Sequence, residues 1–265
     1  MTDNKKYVLI ILGLLFFCIY GLQPEEYVAG LQGFVVARLG LGIVEITSGD
    51  MVLLFSSMFP VILVEMIEGI SIYKHYTIGS VYYFIRQKDI GKWYDEEIGK
   101  VLSFIFKIFF VFLLCGFVIG CVIFNELPSF SIICMVLCQC AMYVTYTFIF
   151  VLLMNLLSIL LGADLSYVIT IGVQLLLLMS LLFFENEELL VENTWLLRFN
   201  PISCMIIVWH YIPYLDFSNM DRIGVDFDVL CSVAYLVFIG FVIYIIGKKI
   251  VLERDIAMDN KEEQG

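Results

Sequence analysis

Glu65 and Glu68 stand three residues apart inside an otherwise apolar run, Met51–Tyr73, and that spacing puts both carboxylates on one face of a helix. Ionisable groups in such a run are costly in hydrocarbon and are candidates for function by default. At about 1.5 Å per residue they lie about 12 and 7.5 Å from the Tyr73 end. By the same arithmetic Lys107 lies about 9 Å inside its own run, Val101–Phe124, and Asn155 and Gln174, on two later runs, sit at roughly 9–11 Å. Five polar groups on four helices thus share one layer. Two chemistries fit it. The layer can line a polar vestibule where a substrate enters. It can equally be a structural clamp, in which Lys107 neutralises one glutamate and the others hydrogen-bond between helices at about 0.6 kcal/mol each. Glu68 and Lys107 can also snorkel to the interface, a route that does not weaken the functional reading of Glu65.

The elements that must position this layer follow from composition. The chain has 265 residues, 62% hydrophobic and 15% charged, with a mean hydropathy of +0.97. Soluble domains run about 45–50% apolar and about 25% charged. The apolar residues fall into blocks of roughly 18 or more, long enough to cross a bilayer. These features predict an all-α, polytopic integral membrane protein and exclude a secreted disulfide scaffold, a nucleic-acid binder and a soluble enzyme. The expected spans are Tyr7–Gly21, Met51–Tyr73, Val101–Phe124, Ser131–Leu161, Tyr167–Phe184 and Val229–Gly247. Lys5 and Lys6 precede the first, but no small-residue cleavage site follows it, so it reads as a helix rather than a signal peptide. With the N-terminus inside, Arg38, Arg198 and Arg222 alone of the 15 Lys and Arg residues fall outside. The positive-inside rule then places both termini in the cytoplasm. No internal repeat, low-complexity tract or linker divides the chain, and one membrane domain over residues 1–265 is expected.

Several chemistries are missing. No G-x-x-x-x-G-K-[ST] loop is present to cradle a nucleotide, and no H-E-x-x-H to hold zinc. His75 and His210 are the only histidines, and they fall on opposite sides of the membrane. Glu96-Glu97 resembles the paired glutamates of intramembrane CAAX-type proteases, but the Arg and His residues that family needs are absent, so the pair reads as a solvated helix start. No catalytic residue, metal or cofactor is expected on this chain. Cys134, Cys138 and Cys140, set among Leu, Met and Val, read as small buried hydrophobes rather than ligands. The net charge of −11 gives no basic footprint for nucleic acid.

Outside the spans, the first outer loop carries a Gly-rich apolar run, Tyr27–Val44, expected along the outer interface. The outer segment Glu185–Asp228 is acidic at its ends around an apolar centre, Pro201–Tyr214. The inner loop Lys74–Lys100 is the most charged part of the chain. In it Val81, Phe84, Ile85, Trp93 and Tyr94 interleave with Arg86, Lys88 and Lys92. That pattern predicts a short amphipathic helix at headgroup level, either an interfacial anchor or a docking element for a soluble partner.

Six spans, cytoplasmic termini, a basic-aromatic loop between the second and third spans and no nucleotide site resemble the permease subunit of an ABC transporter of the ABC-2 (exporter) class. Tyr83–Trp93 is similar to the "I-R-x-x-s-r-x-x-W" loop of small Firmicutes permeases found beside bacteriocin and lantibiotic genes. Phe199-Asn200-Pro201 is similar to the Asn-Pro of the outer re-entrant region in that class, which implies a re-entrant role for Asn200 and Pro201. The resemblance implies that Gly79–Trp93 holds the coupling helix, with Ser80, Phe84, Arg86, Lys88, Lys92 and Trp93 engaging a separate cytoplasmic ATPase that carries ATP and Mg. With only Met1–Lys6 ahead of the first span, coupling is expected to rest on this loop. A second copy or a sister permease would complete the path, in a bacterial cell membrane, for a peptide or other amphipathic substrate in bacteriocin export or self-immunity. Two other functions remain open on the residues alone. One is a non-transporting membrane adaptor or scaffold. The other is a proton-coupled secondary transporter using Glu65 and Glu68, although no inverted repeat or broken helix pair is read in the sequence.

Overall fold

In the computed structural model, which describes residues 10–11, 13–14, 30–40, 48–82, 89–184, 196–211 and 227–262, helices carry most of the chain. Helix α1 (Gly30–Phe34) continues as a π-turn through Val35–Leu39. Helices α2 (Ser48–Ser57), α3 (Phe59–Glu68) and α4 (Ser71–Tyr82) follow with only Met58, then Gly69 and Ile70, between them. Next come α5 (Ile90–Phe124), α6 (Phe130–Leu161) and α7 (Ala163–Leu181), the last ending in a 3-10 turn, Leu182–Phe184. Two further 3-10 turns, Ser203–Met205 and Ile207–Trp209, lead into β1 (His210–Tyr211). This two-residue strand pairs in parallel with β2 (Phe227–Asp228), His210 opposite Phe227. Helix α8 (Val229–Glu262) closes the described chain.

Helices α5, α6, α7 and α8 (to Glu253) are each long and apolar enough to cross a membrane, and they are those of a membrane protein. Their ends follow local chemistry. Asp89 caps α5, its Oδ1 accepting from Lys92 N at 3.0 Å, as expected of an N-cap carboxylate. The helix stops at Asn125, whose φ of 51° is left-handed, a conformation Asn tolerates better than most residues. Ser129 caps α6 in the same way, and Gly162, at φ 94°, separates α6 from α7.

Helix α6 is the most buried of the four and packs against α8, α7, α5, α3 and α4. It is apolar all round, the pattern of a core helix, and Tyr143, Tyr146 and Met154 on it are fully buried. The opposite pattern marks the outer face, where Leu102, Phe106 and Phe110 of α5 and Phe238, Phe241 and Ile245 of α8 are exposed. A continuous apolar surface of this kind suits hydrocarbon, not water.

Four expectations are corrected. The run Met51–Tyr73 is not one continuous helix but parts of three, α2, α3 and α4. Pro60 opens α3 near Met58, because proline cannot donate the amide bond that would continue α2, and the second break falls at Gly69-Ile70. Helix α5 starts at Ile90, eleven residues before the expected Val101, because its polar first turns have their own cap and buried face. Residues 30–39 are not laid on the surface of the bundle. Leu31, Phe34, Val36 and Leu39 are buried against α5, where Gly116 and Gly120 open a groove that a Cβ at either position would fill. Finally, Glu97 is buried rather than solvated, while Glu96 is exposed. Of the expected first span, Tyr7–Gly21, only Ile10, Ile11, Gly13 and Leu14 are described; they are helical, with Ile10 and Leu14 buried. The remainder of that span lies outside the described residues.

Candidate functional site

Glu65 lies one turn before the break between α3 and α4 and is 1% exposed. Its two carboxyl oxygens accept from one donor, Gln174 Nε2 of α7, at 2.7 and 2.8 Å. The other end of that amide, Gln174 Oε1, finds no donor among the described residues. Tyr146 of α6 lies close to Glu65. Its hydroxyl, like those of Thr147 and Thr170, is buried without a hydrogen-bond partner among the described residues. Thr170 stands one turn before Gln174 on the same helix. The centre of the bundle therefore holds one carboxyl group, one amide and several hydroxyls with capacity to spare.

One turn further on, Asn155 of α6 holds the broken helix together. Its Oδ1 accepts from Ile72 N at 2.9 Å and Tyr73 N at 3.2 Å, the second and third amides of α4. Its Nδ2 donates to Glu68 O at 3.2 Å, the last carbonyl of α3, and to Val151 O at 2.8 Å. Two donors and two acceptors exhaust the amide. A single side chain thus caps the end of one helix and the start of the next, which are the groups a helix break leaves without partners. Ser71 Oγ adds a bond to Glu68 O at 2.9 Å, and a Cβ at Gly69 would collide with Met154. Glu68 is half-buried and lies beside Tyr167, whose hydroxyl donates to Met66 O at 2.9 Å.

Of the five polar groups expected in one layer, the structure brings Glu65 and Gln174 together and sets Asn155 and Glu68 at the adjacent break. It does not bring in Lys107, which is exposed on the outer face of α5 beside Phe106 and Phe110. The expected clamp of Lys107 on a glutamate is therefore absent, because a shared height does not give a shared azimuth around the bundle.

At the end of the bundle that carries the lysines, α4, α5 and α8 are tied together. Buried Glu97 of α5 accepts from His75 Nδ1 of α4 at 2.6 Å and from Lys100 Nζ. Tyr76 of α4 packs on Trp93 of α5, ring centroids 6.3 Å apart. Asp95 of α5 accepts from Lys248 Nζ at 2.7 Å and from the Tyr244 hydroxyl at 2.6 Å, both of α8. Trp93, expected as a docking residue, is buried, whereas Lys92 is exposed. Ser80 falls within α4 by its backbone, and Phe84, Arg86 and Lys88 lie outside the described residues. An apolar cavity of about 300 Å³ opens between α5, α6 and α8, lined among others by Leu102, Phe148, Leu236 and Phe241.

At the opposite end, Asn200 docks the segment 196–211 onto α7. Its Nδ2 donates to Leu177 O at 2.8 Å and Ser180 Oγ at 3.0 Å, and its Oδ1 accepts from Ile202 N at 2.9 Å. Pro201 follows it half-buried. The segment is driven into the bundle, with Leu197, Ile202, Met205 and Ile206 fully buried. His210 is buried with both ring nitrogens bonded, Nδ1 to Ile206 O and Nε2 to Ser232 Oγ, each at 2.9 Å. A carbonyl can only accept, so Nδ1 carries the proton and Nε2 accepts from Ser232. Burial lowers the pKa of this imidazole to about 4, which keeps it neutral.

Sequence reasoning singled out neither Tyr146 nor His210, and it did not find the Asn155 cap. Paired polar residues on different helices leave no short-range signal. No group of His, Cys, Asp and Glu capable of holding a metal occurs among the described residues. The chain matches no family model, and no curated protein or solved structure is similar to it.

Proposed function

We propose that this chain is the membrane-spanning permease subunit of an ATP-driven exporter of the ABC-2 class. In this reading six spans, with both termini cytoplasmic, work beside a separate ATPase chain and a second permease copy or sister in a bacterial cell membrane. The chain itself binds no nucleotide. The observation that supports the reading most is the tie among α4, α5 and α8 at the lysine-rich end. Helices α4 and α5, which flank residues 83–88 in the sequence, are joined through His75 and Glu97 and through Tyr76 and Trp93, and α8 is joined to α5 through Asp95 and Lys248. A force applied to the chain between α4 and α5 is delivered to α4 and to the two long helices α5 and α8 at once, which is the mechanical requirement of a coupling element. Buried Trp93 then acts as the loop's footing, while exposed Lys92, with Arg86 and Lys88, is left to contact the ATPase. The apolar cavity beside Phe148 and Phe241 opens on the outer face and can take the apolar part of an amphipathic substrate.

Pull-down of the tagged protein from its native membrane tests the reading. The expected result is a stoichiometric ATPase carrying a Walker motif, lost in Arg86→Ala and retained in a substitution on the outer face such as Phe110→Leu. A clean preparation without an ATPase overturns the exporter reading.

A further inference from the structure

We propose that Glu65 is a proton-binding site, a neutral carboxylic acid in the closed bundle whose O–H is matched to the Gln174 amide oxygen, and that water entering between α3 and α7 takes up that proton. The inference stands apart from the exporter reading and uses none of its residues.

The geometry carries it through a count of donors and acceptors. Glu65 is 1% exposed and Gln174 3% exposed. Among the described residues, none of the ion pairs includes Glu65. Lys107, the basic residue at its height, faces outward. A buried carboxylate whose hydrogen-bond partner is one neutral amide is costly, because a single donor does not replace its hydration. At the same time Gln174 Oε1 is an acceptor without a donor. One proton resolves both deficits. With Glu65 neutral, turning the Gln174 amide about its terminal bond closes a ring of two hydrogen bonds. In that ring the acid O–H donates to Oε1, and Nε2–H donates to the other carboxyl oxygen. Each group then has its partner and no charge is buried.

The same amide serves the ionised form. With Nε2 at 2.7 and 2.8 Å from the two oxygens, it straddles the carboxylate left when the proton has passed to water as hydronium. That position also argues against a metal cation, because the NH₂ group already fills the space between the two oxygens where a cation would bind. Other titratable groups near Glu65 are few. Helix α6 presents Tyr146. Helix α7 presents Gln174 and Thr170, which do not titrate, with Tyr167 two turns away against Glu68. Glu68 lies one turn along, at the end of α3, and the described side chains of α2 include no titratable group. The hydroxyls of Tyr146, beside Glu65, and of Thr170, one turn from Gln174, are without partners among the described residues and are available to the water that removes the proton. The break at Gly69-Ile70 gives α3 an end near Glu65.

Infrared difference spectra of the full-length protein in phospholipid vesicles test the assignment. At neutral pH, wild type minus Glu65→Gln is expected to show the carbonyl band of a protonated acid, which fades on alkaline titration and is retained in Glu68→Gln. A difference spectrum with carboxylate bands alone overturns the proposal. Should Glu65→Gln fail to fold, the decisive comparison is wild type against Gln174→Leu. Loss of the amide is expected to shift the acid band to higher frequency, and an unshifted band or none overturns the pairing.

Discussion

Replacing Asn155 by Leu keeps the side chain's branched shape and removes all four of its hydrogen bonds. Three of those bonds cross from α6 to the broken helix, at Glu68 O, Ile72 N and Tyr73 N. Hydrogen bonds between helices in a membrane average about 0.6 kcal/mol and reach about 1.7 kcal/mol. Losing three therefore costs about 2 to 5 kcal/mol, and the upper part of that range is expected because Asn155 is 2% exposed and water cannot replace it. The measurement is reversible unfolding in detergent, followed by backbone hydrogen exchange, in which protection at Ile72 and Tyr73 should fall most. Asn155→Asp keeps the acceptor for those two amides and loses the donor to Glu68 O, so it should damage α3 more than α4. Gln139 is the control. It is equally buried on the same helix, yet both ends of its amide lack partners among the described residues. Gln139→Leu should be neutral or stabilising, since replacing an unpartnered polar group by an apolar one of similar shape removes a desolvation cost. The reasoning fails if Asn155→Leu stays within about 0.5 kcal/mol of wild type, the usual range of a surface change, or if the two Leu variants lose stability equally.

Acid should destabilise the outer segment through His210. Its folded pKa, about 4, lies below the usual value of about 6.5, so the unfolded chain takes up the proton first. Stability is full above about pH 6.5 and falls toward pH 4, by about 3 kcal/mol at the limit, and His210→Asn should flatten that part of the stability–pH curve. Gly120→Ala should cost about 1–3 kcal/mol by overpacking, because its Cβ would come within 2.7 Å of the Phe34 ring. Gly99→Ala, with nothing within 4 Å of its new Cβ, should be neutral or stabilise α5 by up to about 1 kcal/mol; thermal unfolding of the two side by side checks both. Lys107→Met should leave the melting temperature unchanged, and a loss comparable to that of Asn155→Leu would show that Lys107 pairs within the bundle after all.

The parts of this protein legible in its sequence are those set by one-dimensional length. Uninterrupted apolar runs became α5, α6, α7 and α8 because each is long enough to satisfy its own backbone across hydrocarbon. Their limits were harder to read, since polarity ends an apolar stretch without ending a helix. Ile90–Lys100 continues α5 because Asp89 caps it and Trp93, Glu97 and Ile98 give it a buried face. Depth along an axis was also partly legible: Glu65 and Gln174, expected in one layer, do meet. Rotation about the axis was not, because it depends on which neighbour each helix packs against. Lys107 therefore shares the height of Glu65 while standing with Phe106 and Phe110 on the outer face.

The break in the helix was hidden for a related reason. Gly69 alone is a weak signal, since glycine is common in membrane helices. What makes the break tolerable is Asn155, distant in sequence and on another helix, which supplies the hydrogen bonds that the two exposed helix ends would otherwise lack. Irregular backbone at membrane depth survives only where protein or water satisfies it. The same condition explains why the polar residues of this core gather where they do. Asn155 secures the break, Gln174 meets the carboxyl one turn before it, and the spare hydroxyls of Tyr146 and Thr170 lie on the flanking helices. A break so secured can be released by changing one side chain or admitting a few water molecules, whereas parting two continuous helices would sacrifice apolar packing along their whole length. Movement in this bundle is therefore expected to begin at Gly69-Ile70.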